Sequence, residues 1–256
     1  MEWANRPHYH APVRTRSILG VAMLGLAAAA CDKDSTPTAT AEAAAPVAVA
    51  TPAPAPEPPR APDIVIDASN VAIGQNRVAA GEPGLADKVA VFLTGAPAIE
   101  GATVSVVAMR PSKPSEVAAV VAALRKAKAS GAVIKTEARD NSTQKLPLSL
   151  STSAPDCATV AWIAKDVAVD VWPAGGGTAK RIIKGLAGPD ITLGTDAIRK
   201  QQAGCSAPDL YVGADDSLPW GLVFDLATAA IGSPGVTAGS GALVTNAVPG
   251  RKLVLP

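Results

Sequence analysis

The sequence predicts an α+β protein: two tandem β-β-α-β-α-β domains behind a disordered linker. Three observations carry that expectation. Thr103 to Glu137 reads as a strand, a tight turn, a helix and a second strand. The strand, turn and helix return from Asp209 to Ala230. Each copy follows a short hairpin, Ile64–Asp67 against Val71–Gly74 and Val160–Ile163 against Val167–Val171. A repeat of this length means two similar domains and not a solenoid, whose units run to roughly 20–50 residues.

In chain order, Ile64-Val65-Ile66-Asp67 is β-branched and apolar, and Ala68-Ser69-Asn70 turns it back. Leu85, Val89, Phe92 and Leu93 fall at helical spacing, predicting a helix from Gly84 to Thr94 that Gly95-Ala96-Pro97 stops. Thr103 to Met109 is the next strand. Arg110 to Glu116 breaks it, with Pro114 pre-set for a first helical turn. Val117, Val120, Val121 and Leu124 recur at i, i+3, i+4, i+7, and Arg125, Lys126 and Lys128 suit the helix C-terminus. Gly131 ends the helix before the strand Ala132-Val133-Ile134. Residues 63–140 thus form a first domain, and 141–156, with Pro147 and Pro155, a polar connection. In the second domain, 157–256, Gly175-Gly176-Gly177 opens a helical stretch from Thr178 to Leu186, and Thr195 to Ala203 adds a polar helix. After the strand Asp209–Ala214 comes the turn Asp215–Gly221, where Pro219 matches Pro114. Leu222, Val223, Leu226 and Ala230 mark the buried face of the next helix. A last strand is expected near Gly235-Val236-Thr237, and the tail from Asn246 to Pro256 has no assigned element.

Ala, Pro and Val inflate the 48% hydrophobic content, which therefore does not imply a membrane protein. The net charge of +1 gives no electrostatic reason to expect nucleic acid as a partner. At the N-terminus, Arg14 and Arg16 precede an apolar run from Ile18 to Ala30, too short for the roughly 20 residues of a spanning helix. Residues 1–30 read as a secretory signal. Leu26-Ala27-Ala28-Ala29-Ala30-Cys31 resembles a bacterial lipoprotein signal, in which Cys31 becomes the acylated first residue. The alternative is an ordinary signal cleaved within the alanines. Asp32 is similar to an inner-membrane retention signal of some bacteria. Residues 31–62 are almost wholly Ala, Pro, Thr, Val and Glu, an extended spacer that would hold the folded part off the membrane.

Each domain resembles the periplasmic domain of the biopolymer-transport proteins ExbD and TolR. Asp215-Asp216-Ser217-Leu218-Pro219-Trp220-Gly221-Leu222-Val223 follows that family's strand-turn-helix pattern. Pro114, Val117, Val120 and Val121 follow it in the first domain, where Arg110 replaces the Asp and Ser115 and Glu116 replace the aromatic and the Gly. The family's uncleaved transmembrane helix carries an Asp used in proton flow; Ile18 to Ala30 holds no carboxylate. The resemblance therefore implies only the periplasmic role: contact with a partner protein or with peptidoglycan. Two fused domains would form an internal pseudo-dimer within a monomeric chain.

His8 and His10 are the only histidines and lie in the signal, so the exported chain lacks histidine-based triads and the commonest metal ligand. Cys157 and Cys205 make a poor zinc site without histidine, and a disulfide is the expected reading in an exported protein, with free thiols as the alternative. Asp215 and Asp216 form a carboxylate pair after a core strand, a position that would suit a metal-dependent hydrolase; the stronger reading is that Ser217 or Asp216 caps the following helix, whose N-terminus favours acidic residues. Gly175-Gly176-Gly177-Thr178-Ala179-Lys180 lacks phosphate-loop spacing. Trp172 and Trp220, near strand and turn ends, are candidate binding residues together with that pair, and core packing is the competing role. The expectation is a non-catalytic envelope lipoprotein without cofactor or metal. It would face the periplasm and act as an accessory or scaffold of a transport or motor-like system.

Overall fold

A computed structural model describes residues 60–96, 98–206, 209–232 and 240–255. The expected signal, the expected lipidation at Cys31, the expected linker up to residue 59 and the strand expected at Gly235–Thr237 lie outside the described residues. The strands are β1 (Ile64–Ile66), β2 (Asn70–Ile73), β3 (Asn76–Ala79), β4 (Thr103–Ala108), β5 (Gly131–Glu137), β6 (Thr143–Leu148), β7 (Thr159–Ile163), β8 (Val169–Pro173), β9 (Lys180–Ile182), β10 (Asp209–Ala214) and β11 (Ser240–Leu243). The helices are α1 (Leu85–Thr94), α2 (Pro114–Lys126), α3 (Ile191–Gln202) and α4 (Trp220–Ile231).

These strands form one continuous mixed sheet in the order β3-β2-β1-β4-β5-β6-β11-β10-β7-β8-β9, which overturns the expectation of two tandem domains. The element order does recur: β1-β2-β3-α1-β4-α2-β5, then β7-β8-β9-α3-β10-α4-β11. The strand that abolishes the boundary is β6, inside the supposed connection. It pairs antiparallel with β5 along its whole length and parallel with β11 at Leu148–Gly241, extended where Ser149 N donates to Gly241 O at 2.8 Å. Pro147 is tolerated within it, facing the half-buried side opposite Val133.

Strand alternation sorts the core. Ile64, Ile66, Val104, Val106, Ile134, Leu146, Ile163, Val169, Leu210 and Val212 point to one face, where they join buried residues of all four helices in a single cluster. α1 buries Leu85, Val89, Ala90 and Leu93 as its spacing predicts, while Phe92 stays 37% exposed. α2 buries Val117, Val120, Val121 and Leu124, and the Glu116 carboxylate accepts from Lys113 N at 2.9 Å to cap its start. α3 starts at Asp190, whose side chain accepts from Leu193 N at 2.9 Å.

Further corrections concern local chemistry. The hairpins are three-stranded meanders, because β3 and β9 add an edge to each. The helix expected from Thr178 to Leu186 is instead strand β9. Beside β8, Arg181 reaches Asp170 at 2.7 Å and Asp166 at 2.6 Å, whereas Leu186 would have presented an apolar helical face and is fully exposed. The two prolines are also not equivalent. Strand ends Ala108 and Ala214, and helix starts Pro114 and Trp220, are each 106 residues apart, so Pro114 is the first helical residue and Pro219 the cap before one.

Candidate functional site: the junction and the open sheet face

The two strand-turn-helix segments meet each other. Trp220 N donates to Ser112 O at 2.7 Å and Gly221 N to Arg110 O at 3.0 Å, stitching the α4 start to the β4–α2 turn. The Trp220 ring is fully buried and its Nε1 donates to Thr136 Oγ1 of β5 at 2.9 Å. The Thr136 hydroxyl donates in turn to Ala108 O at 2.9 Å, so a buried polar chain crosses from one half to the other. Arg110 Nη1 and Nη2 grip Asp225 of α4 at 2.9 and 2.7 Å, and Arg139 Nε adds a third contact at 2.9 Å. The Asp225 carboxylate beside it raises the Arg110 pKa further. A Cβ on residue 221 would lie 2.9 Å from Arg110 Nε, so glycine there gives the guanidinium room to lie on the first turn of α4. A shallow cleft of about 480 Å³ opens beside Arg139, Asp225 and Thr228.

The predicted site residues have these places. Asp215 accepts from Ser217 Oγ and, at 2.9 Å, from Ser217 N; these bonds hold its carboxyl below the usual carboxylate range. Asp216 accepts from Ser115 N of α2 at 3.0 Å. Both carboxylates thus serve the turn and the helix starts. No group of three or more His, Cys, Asp or Glu among the described residues is set to hold a metal ion. Trp172 is also fully buried, its Nε1 donating to Arg251 O at 3.0 Å. The structure therefore brings Asp216 and Trp220 to the junction, places Trp172 in the separate cluster under the C-terminal tail, and exposes neither indole. Cys157 and Cys205 form a disulfide, joining the lead-in to β7 with the lead-in to β10.

The second face of the sheet differs between halves. On the second half it is closed: Val160, Trp172, Tyr211, Ala242 and Val244 form a small cluster on which Leu253 and Leu255 of the C-terminal tail pack. The tail is tied down where Leu253 N donates to Ala174 O at 2.7 Å and Gly177 N to Gly250 O at 2.8 Å. Burial raises the Tyr211 pKa, and its hydroxyl donates to Ser153 O at 3.1 Å.

On the first half no described residue packs over the same face, which is bare among the described residues. Strand register sets Arg77, Ala72, Val65, Val107, Lys135 and Lys145 side by side across β3, β2, β1, β4, β5 and β6. Ser105, Val133 and Pro147 make the adjoining row. Val107 is 40% and Met109 48% exposed, and a cleft of about 440 Å³ lies beside them, lined also by Arg110, Pro111, Lys135 and Glu137. The strand expected from Thr103 to Met109 carries this face, which its identification as a strand alone did not separate from the covered one. The signal was Thr103, Ser105 and Val107 alternating with Val104, Val106 and Ala108, which marks a strand with only one covered side.

No protein family, curated protein or solved structure matches the chain. Among the described residues, no helix is long and apolar enough to cross a membrane.

Proposed function

We propose that the chain is an exported, lipid-anchored scaffold of a bacterial envelope, an accessory to a transport or motor-like system that binds a partner protein and carries out no catalysis. The observation that carries this reading is the inequality of the two halves on the helix-free face: in the second half it is closed by the chain's own tail, and in the first half no described residue covers it and Val107 is 40% exposed. The disulfide suits an oxidising compartment outside the cytoplasm. The signal-like N-terminus ending at Cys31, and the Pro-rich spacer after it, suit a tether that holds the bare face away from the membrane. Engagement of Asp215 and Asp216 in backbone hydrogen bonds supports binding over metal-dependent hydrolysis. Glycan recognition leans on exposed aromatic rings. Among the described residues Trp172, Trp220, Tyr211 and Phe224 are fully buried, and the partly exposed Phe92 and Trp162 lie on α1 and on the second half, away from the bare face, which favours a protein over peptidoglycan as the partner.

The test places a photoreactive amino acid at Val107 and, as a control, at Leu186 on the far half. Irradiation of intact cells should give a discrete protein adduct from position 107 and none from 186. Absence of an adduct, together with salt-resistant sedimentation of the chain with purified peptidoglycan, would overturn the proposal in favour of wall binding.

A further inference from the structure

We infer that the bare face of the first half takes an acidic, apolar-bearing peptide segment of the partner; this rests on the scaffold reading above. The argument is the charge on that face. Lys135 lies directly opposite Lys145 on the neighbouring antiparallel strand, a like-charge pair that costs stability unless a counter-charge joins it. Among the described residues, neither lysine nor Arg77, at the other end of the same row, is in an ion pair. The acidic groups nearest the row are on its margins: Asp63 and Asp67 flank β1, and Glu137 is exposed at the end of β5. Asp67 accepts from Ser69 N at 2.7 Å and Asn70 N at 2.8 Å, and its charge acts on Arg77 without a direct ion pair, so the two lysines are the part of the row with the weakest compensation.

The second half supplies an internal comparison. There the corresponding row runs Arg181, Asp170, Trp162, Gly213. Val244, bonded to β10 through Val212 O, extends it. Arg181 holds the position that Arg77 holds in the first half, and it is neutralised within the chain by Asp170 and Asp166. Ala72 stands where Asp170 would be, and Lys135 stands where Val244 would be. The half that is closed by its own tail satisfies its charge internally. The half that is open has lost the carboxylate and gained lysines. Between those cations lie Val65 and Val107, with Val133 and Met109 in the rows on either side, and these would take alternate apolar side chains of the same segment, with carboxylates reaching Lys135, Lys145 and Arg77. Such complementarity gives specificity and speed of encounter.

The test is fluorescence anisotropy of the purified full chain with a labelled twelve-residue peptide repeating Glu-Glu-Val-Val, which in extended form shows both Glu and Val on each side, and with its Lys-for-Glu counterpart. Saturable binding of the acidic peptide alone is expected. The double variant Lys135→Glu, Lys145→Glu should weaken it at least tenfold and admit the basic peptide. The charge-matched control Lys184→Glu, Lys200→Glu should stay within twofold. Equal losses in the two double variants, or no saturable binding, would overturn the inference. Urea unfolding of each variant separates lost binding from lost folding. A crosslink from position 107 in cells without acidic-peptide binding leaves the scaffold reading and removes this one; peptide binding without a cellular adduct, joined by salt-resistant sedimentation with peptidoglycan, removes the scaffold reading and with it the partner segment, keeping only the charge preference of the face.

Discussion

Replacing Asp225 with alanine removes the lock between the halves, and its cost can be bounded from the geometry. Asp225 accepts three charge-assisted hydrogen bonds, two from Arg110 and one from Arg139. Its side chain is 16% exposed and that of Arg110 27%, while Arg139 is 61% exposed. A solvent-exposed pair contributes at most about 1 kcal/mol, and breaking a fully buried one costs about 3–5 kcal/mol. The Arg110–Asp225 pair lies between these limits. After the change the guanidinium keeps only the Glu137 and Gly221 carbonyls, at 3.2 and 3.4 Å. The expected loss is about 2 kcal/mol, which for a body of this size lowers Tm by roughly 4–8 °C. Urea unfolding followed by tryptophan fluorescence reads it, because Trp172 and Trp220 are buried in the native state. A double-mutant cycle of Asp225→Ala with Arg110→Ala should give a coupling of about 1.5 kcal/mol. The cycle with Arg139→Ala should stay near or below about 0.5 kcal/mol, as for other exposed pairs. Asp225→Ala within about 0.5 kcal/mol of the parent, or additive losses with Arg110→Ala, would refute the claim that this pair holds the halves together.

Three further outcomes are expected. A Cβ on residue 213 would lie 2.3 Å from Val244 O and 2.8 Å from the Trp162 ring, so Gly213→Ala should separate β10 from β11. Its cost should fall at the upper end of overpacking losses, about 3 kcal/mol, measured by the same unfolding curve. Replacing Cys157 and Cys205 with serine opens a loop with a sequence separation of 48 and should cost about 2–4 kcal/mol, seen as a lower urea midpoint that reductant no longer shifts. Asp67 and Asp215 both have lowered pKa values, chiefly through the bonds from Ser69 and Ser217. Their contribution is therefore present above the unfolded carboxylate pKa and is lost as pH falls through the lower, folded one. Asp67→Asn with Asp215→Asn should flatten the acid side of the stability profile and leave its neutral-to-alkaline side parallel to that of the parent.

Most elements were legible because their chemistry is local. α1, α2 and α4 follow from spacing and breakers, and β1, β4 and β10 from β-branched runs. What was not legible depends on distant partners. β3 offers only Val78 to the core, so its sequence has no apolar signature. β9, Lys180-Arg181-Ile182, becomes a strand because Asp166 and Asp170 wait on the preceding turn and strand. β6 contains Pro147 and exposed Thr143, Gln144 and Lys145, and reads as a linker until β5 and β11 flank it. Missing β6 turned one sheet into two domains. At the site, the turns around Asp215 and Trp220 were located from sequence, but their contact with Ser112, Ser115 and Thr136 was not. Nothing local in either segment says that the two copies face one another.

The unlike halves have a consequence for stoichiometry. A twofold homodimer shows every surface twice, so a partner meets two identical sites and gains avidity, and any substitution alters both. Here Arg77 and Arg181 hold matching places with different neighbours, and Lys135 and Val244 likewise. Each surface exists once per polypeptide. Occupancy of the bare face would follow a simple one-to-one isotherm without cooperativity, and its composition is free to change while the closed face stays as it is.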